Sequence, residues 1–139
     1  MKYLVIGLGN FGSTLASTLT DMGHSVIGVD SNAHCVEEIK ERIDLAYIMD
    51  ATERASLRSL PLNEIDCVIV AIGQSMDSSL RSVASLKELK VKNIIARALD
   101  TTHSSILRAM DIKKILIPES YAARIFAEKI ISKDAEELL

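Results

Sequence analysis

The sequence predicts an α/β fold in which six parallel strands are doubly wound by helices, and three observations carry that prediction. Short apolar runs alternate with segments of helical periodicity along the chain. The first run passes directly into Gly7-Leu8-Gly9-Asn10-Phe11-Gly12, a turn with G-x-G-x-x-G spacing. The second run ends on Asp30, 23 residues after Gly7. Right-handed crossovers through such units give strand order 3-2-1-4-5-6 and a Rossmann-like sheet.

Each element has a local reason. Tyr3, Leu4, Val5 and Ile6 are apolar without interruption, as a strand covered on both faces requires. Gly7 permits the tight turn, Gly9 bares the backbone where a pyrophosphate would approach, and Gly12 lets the next helix pack close to the sheet. Phe11, Leu15, Ala16 and Leu19 give that helix its apolar stripe, and Gly23 stops it. Residues 25–29 form the second strand, Ser31 and Asn32 start a helix carrying Val36, Ile39 and Ile43, and residues 45–49 form the third strand. Asp50-Ala51-Thr52 follows, then a helix over 53–59 that breaks near Pro61.

The fourth strand is read as Cys67 through Ile72, running into Gly73. A helix over 76–89 turns Leu80, Val83, Ala84 and Leu86 to the sheet. A fifth strand over 93–97, a helix over 102–110 and a sixth strand over 114–117 complete the sheet before Pro118-Glu119. From Ser120, the residues Ala122, Ala123, Ile125, Phe126, Ile130 and Ile131 describe a helix whose apolar surface needs a cover. That cover is its own sheet, a second copy of the domain or a further domain; residues 1–118 are thus expected to form the nucleotide-binding domain and 119–139 a C-terminal helix for dimer contact or crossover. Because the helical pattern persists to Leu139, the sequence reads as truncated before a further domain.

Composition narrows the function. With 139 residues, 48% of them hydrophobic, the chain can bury one real core. A net charge of -3 disfavours nucleic acid as a partner, and Lys87, Lys90, Lys92, Lys113 and Lys114 read as solvated helix ends and turns. The two cysteines, Cys35 and Cys67, form no C-x-x-C pair, which predicts reduced thiols and a cytoplasmic setting. No apolar run reaches the roughly 18 residues of a membrane helix, so any membrane link would come through a partner.

Asp30 is followed by Ser31 and Asn32, with no arginine to accept a 2'-phosphate. A carboxylate there favours a free ribose diol, hence NAD(H) or another adenine nucleotide; the alternative for Asp30 is a helix cap. Asp50 reads equally as an N-cap. The three histidines, His24, His34 and His103, read as surface or capping residues, outside any nucleophile or metal-ligand pattern. Binding without turnover is the simpler reading, and a Rossmann-type NAD-dependent oxidoreductase, or a fragment of one, is the alternative.

Six motifs in order, GLGNFG at 7–12 preceded by YLVI, MGHSVIGVDSN at 22–32, DAT at 50–52, DCVIVAIG at 66–73, NIIARA at 93–98 and IPE at 117–119, extend over nearly the whole chain. Together they resemble the regulator of potassium conductance (RCK, or KTN) N-terminal domain of Trk and Ktr potassium uptake systems. The resemblance implies a nucleotide-binding gating subunit, homodimeric and assembled into a ring, that is peripheral to the inner membrane through a potassium transporter or channel. It also implies that Gly7, Gly9, Phe11 and Gly12 face phosphates, with Asn10 in the same site as a hydrogen-bond donor, Asp30 and Ser31 at the adenosine ribose, and Asp50, Ala51 and Thr52 at the adenine edge. Ala71, Ile72 and Gly73 would floor the site, with Arg97 aimed at phosphate or held in a surface salt bridge. Glu119 stands where a family glutamate contributes to divalent-cation binding, or simply caps a strand end. Asn10 replaces an arginine found in ATP-responsive members, which weakens the case for ATP and leaves NAD(H), ADP or AMP open.

Overall fold

The computed structural model describes residues 1–132. Six parallel strands, β1 (Lys2–Ile6), β2 (Ser25–Asp30), β3 (Leu45–Ile48), β4 (Cys67–Val70), β5 (Ile94–Arg97) and β6 (Lys114–Leu116), form one sheet in the order β3-β2-β1-β4-β5-β6. The helices between them are α1 (Asn10–Asp21), α2 (Ala33–Ile39), α3 (Arg54–Arg58), α4 (Met76–Glu88) and α5 (Thr101–Ala109), and α6 (Pro118–Ile131) follows the last strand. The predicted strand order is the observed one.

The period of two along β1 explains the two cores. Leu4 and Ile6 join Ile27, Val29, Val68 and Val70 on one face, where Leu57, Val83, Leu86 and Leu107 of α3, α4 and α5 cover them. Val5 joins Val26, Ile69 and Ala71 on the other face, under Ala16, Val36 and Ile39 of α1 and α2. Leu4 lies beside Ile27 on one flank and Val68 on the other, so β1 is shielded from water on every side. By contrast, α6 is exposed along its length and presents Tyr121, Phe126 and Ile130 to solvent.

Several element ends differ from the sequence reading. The fourth strand stops at Val70, two residues early, because Ala71 makes one last bond to the Ile6 carbonyl and the chain then leaves the sheet. The second crossover helix ends at Ile39; Ile43 lies beyond it yet is still buried against Gly28. The last helix begins at Pro118, where a missing N-H costs nothing in a first turn. The expected helical reading of residues 133–139 lies outside the described residues.

His103 corrects a second expectation. It is fully buried, not a surface or capping residue. The Asp100 side chain caps α5 by accepting from the His103 N-H, and His103 shares its inward face with Leu107, four residues on. The Leu99 N-H donates to His103 Nδ1 at 2.9 Å, which assigns the proton to Nε2, 3.0 Å from Ser79 Oγ. A ring in that tautomer donates to the serine and cannot accept its proton, so the buried pair is structural.

Burial pushes the His103 imidazole below its ordinary value of 6.5, outweighing the opposing pull of Asp100. Above that value the folded and unfolded chains both carry a neutral ring. As pH falls below it, the unfolded chain takes up the proton first and stability declines until the lowered folded value is reached. Urea unfolding of wild type should therefore lose more stability between about pH 7.5 and about pH 5.5 than unfolding of His103→Gln, by up to roughly 1.4 kcal/mol per pH unit. Equal losses in the two proteins would show that His103 is not the group responsible.

Candidate functional site

The carboxyl ends of β1, β2, β4 and β5 open onto a crevice of about 660 Å³. Gly7, Gly9, Asn10, Phe11, Asp30, Ser31, Asp50, Ala51, Thr52, Ala71, Ile72, Gly73, Arg97 and Glu119 all line it. Residues widely separated in sequence therefore meet in one place, as expected where the strand order reverses. Gly12 alone among the predicted residues is not part of the lining.

The three glycines of the turn have different physical reasons. Gly7 has φ +96°, a conformation that side chains disfavour, and a Cβ there would meet the Ile72 backbone nitrogen at 2.9 Å. A Cβ on Gly12 would lie 1.8 Å from the Gly7 carbonyl oxygen, so α1 sits directly on the turn that feeds it. A Cβ on Gly9 would have no neighbour within 4 Å. The protein itself does not demand glycine at that position; the bare backbone faces the open crevice.

Gly9 is also the N-cap of α1 and offers no side-chain acceptor, whereas Asn32, Ser75 and Asp100 cap α2, α4 and α5. The first-turn N-H groups of α1 and the positive end of its dipole are therefore presented at the lining formed by Gly9, Asn10 and Phe11.

Asp30 holds this loop in place. One carboxylate oxygen accepts from the Leu8 N-H at 2.7 Å and the other from the Asn32 N-H at 2.8 Å, tying the glycine turn to the start of α2. Asn32, not Asp30, then caps α2 by accepting from the His34 and Cys35 N-H groups. Asp50 is not the cap of α3 either, that position being Glu53. Its carboxylate accepts from the Thr52 hydroxyl at 2.6 Å and the Thr52 N-H at 2.9 Å, and these bonds lower its pKa.

On the far wall, Arg97 lies 5.4 Å from the Phe11 ring centroid and 3.4 Å from a Glu119 oxygen. Its side chain is only 17% exposed, and its Nε has no hydrogen-bond partner. A Cβ on Gly73 would come 2.6 Å from Arg97 Nη1, so that glycine makes room for the guanidinium. Glu119 is mostly exposed, and among the described residues no group of three or more His, Cys, Asp and Glu side chains could hold a metal ion.

Sequence reasoning did not single out Ser78 and Ser82 of α4, which also line the crevice. The signal was present in the i, i+4 spacing of the two serines, together with Ser85 on the same helical face. The five lysines read as solvated line a second cavity, of about 400 Å³, beside the segments that enter β5 and β6. No predicted site residue lies there.

Fold and crevice define a Rossmann-like domain of the nucleotide-binding class. The chain belongs to the TrkA-N domain family, whose model matches residues 3–118. It is 33% identical over 138 residues to the Ktr system potassium uptake protein C of Bacillus subtilis, covering 99% of this chain and 62% of that protein. The chain thus spans about three-fifths of that relative. Among solved structures, the NAD(P)-binding domain of an exopolyphosphatase-related protein from Archaeoglobus fulgidus superposes with a TM-score of 0.80 at 25% identity, covering 92% of this chain and 96% of that one. The AMP-bound Kef CTD of Shewanella denitrificans shares the fold with a TM-score of 0.73 at 16% identity, over 97% of this chain and 85% of that one. Among the described residues, no helix is long and apolar enough to cross a membrane.

Replacing Asp30 by alanine leaves the Leu8 and Asn32 N-H groups without their acceptor. The variant should lose roughly 1–3 kcal/mol of folding stability in chemical denaturation, before any ligand is considered. Wild-type stability in Asp30→Ala would show that the two bonds do not hold the loop.

Proposed function

We propose that this chain is the nucleotide-binding part of a regulatory, non-enzymatic subunit serving potassium uptake. It binds an adenine nucleotide, NAD(H) or one of AMP, ADP and ATP, in the crevice and passes its state to a membrane potassium transporter or channel. The observation that carries the reading is the uncapped start of α1 beside Gly9, an open anion seat with bare backbone. Similarity to the Ktr potassium uptake protein supports the partner class.

In this reading Gly7, Gly9, Asn10 and Phe11 lie against the phosphates, with Gly12 setting the close approach of α1. Asp30 and Ser31 take the ribose, Asp50 to Thr52 border the base, and Ala71 to Gly73 form the floor. Arg97 meets phosphate charge, and Glu119 serves as its counter-ion rather than as part of a metal site. No histidine lines the crevice, which favours binding over proton-transfer chemistry. Residues 1–118 hold the ligand. The segment 119–139 acts as the contact through which homodimers form and build a ring, a role suited to the exposed apolar side chains of α6.

A nucleotide shifts such an assembly only if it binds two arrangements unequally, and each factor of ten in that ratio is worth about 1.4 kcal/mol. Calorimetric titration of the purified chain with NADH, NAD, ATP, ADP and AMP tests the site. Gly9→Ala should keep the wild-type unfolding midpoint, because its new methyl meets nothing and its φ of -71° suits alanine. Its affinity for the bound nucleotide should fall by about tenfold or more, since the methyl occupies the phosphate approach. Failure of every nucleotide to bind wild type, or full affinity in Gly9→Ala, would overturn the assignment.

A further inference from the structure

We propose that Ser82, on α4, is the residue that reads the base of the bound nucleotide, through a hydrogen bond between its hydroxyl and the polar edge of adenine. This rests on the reading of the crevice as an adenine-nucleotide site. Ser82 is 0% exposed and lines the crevice, yet its Oγ has no hydrogen-bond partner.

That condition is unusual for a hydroxyl inside a helix, which ordinarily turns back to the carbonyl four residues earlier. Elsewhere in the chain this happens: Thr18 donates to the Thr14 carbonyl at 2.7 Å, Thr20 to Ala16 at 3.0 Å and Ser105 to Thr101 at 3.0 Å. Ser82 does not make this bond. A buried polar atom without a partner is costly and calls for a reason, and a bound group that completes the set is one.

The position of Ser82 specifies which part of a nucleotide it meets. Ser78, Ser82 and Ser85 share one face of α4, and the Ser85 hydroxyl donates to the Thr52 carbonyl at 3.1 Å. That bond fixes this face of α4 against the 50–54 segment. Ser82 lies one turn nearer the carboxyl ends of the strands, where Met49 and Ala51 also line the crevice. A flat base between those apolar groups buries its ring nitrogens, which requires a polar partner there. The other buried side-chain atom without a partner among the described residues is Arg97 Nε, which belongs to the same crevice. The two mark different ends of one ligand, Ser82 the base and Arg97 the phosphates.

The test compares wild type and Ser82→Ala by calorimetric titration with AMP, by competition with millimolar ribose 5-phosphate, and by thermal unfolding without ligand. AMP affinity should fall about five- to twentyfold in Ser82→Ala, as expected for one lost buried hydrogen bond. Affinity for ribose 5-phosphate, which has no base, should not change. The unliganded variant should melt no lower than wild type, because the substitution removes a hydroxyl that had no partner. Ser82→Cys, which is slightly larger and bonds weakly, should show the same AMP loss and serves if the alanine variant fails to fold. Unchanged AMP affinity, or equal weakening of AMP and ribose 5-phosphate, overturns the role of Ser82. If wild type itself binds no adenine nucleotide, the reading of the crevice fails instead.

Discussion

The approach of α1 to the turn that feeds it is the constraint on which the rest of the molecule depends. With no room for even a methyl group between Gly12 and the Gly7 carbonyl, the helix begins where the strand ends. Its first turn therefore faces the crevice, and its unpaired N-H groups point at whatever occupies it. The geometry also fixes Asp30, whose carboxylate reaches across from β2 to the Leu8 N-H. A longer or looser turn would separate the helix dipole from the acid, and the crevice would lose one of its two polar walls.

In the proposed reading, Asp30 consequently has two duties. Both of its oxygens already accept backbone N-H groups, yet a carboxylate oxygen has lone pairs for a further donor. A ribose hydroxyl can be received without breaking either bond. The acid is thus pre-positioned before ligand arrives, which lowers the ordering cost of binding. Asp50 is held in the same manner by Thr52. Two acids in fixed poses give their side of the crevice a rigid polar frame, while Arg97 is held among the described residues by one ring and one exposed carboxylate.

Much of this was legible in the sequence because it is written in local rules. Apolar runs of strand length, helical periodicity and the G-x-G-x-x-G spacing predict the strand order and bring Gly7, Gly9, Asp30, Asp50 and Gly73 to one crevice. Arg97 and Glu119 are reached only through the family resemblance. What was illegible depended on contacts between distant segments. His103 looks polar and terminal in sequence, but its spacing to Leu107 places it in the core, where Ser79 and the Leu99 N-H satisfy its nitrogens. The end of β4 at Val70 is set by where Ile6 stops offering carbonyls, not by the apolar character of Ala71 and Ile72. Ser82 was missed because the spacing of Ser78, Ser82 and Ser85 marks a shared helical face without telling which hydroxyl lacks a partner.

The weakly held guanidinium matters for how a nucleotide could act beyond its own crevice. Phe11 in the first turn of α1, Arg97 at the end of β5 and Glu119 in the first turn of α6 form a continuous contact chain. In the proposed reading, a phosphate at the α1 N-terminus competes for the same guanidinium with Glu119, whose exposed carboxylate holds it at 3.4 Å. Drawing Arg97 inward would free the carboxylate at the start of α6, whose apolar residues are exposed. Nucleotides differing in phosphate charge would then hold α6 in different poses. In that reading the glycine turn would supply the affinity common to all of them, and the Arg97–Glu119 pair the difference between them, which is the quantity a regulator needs.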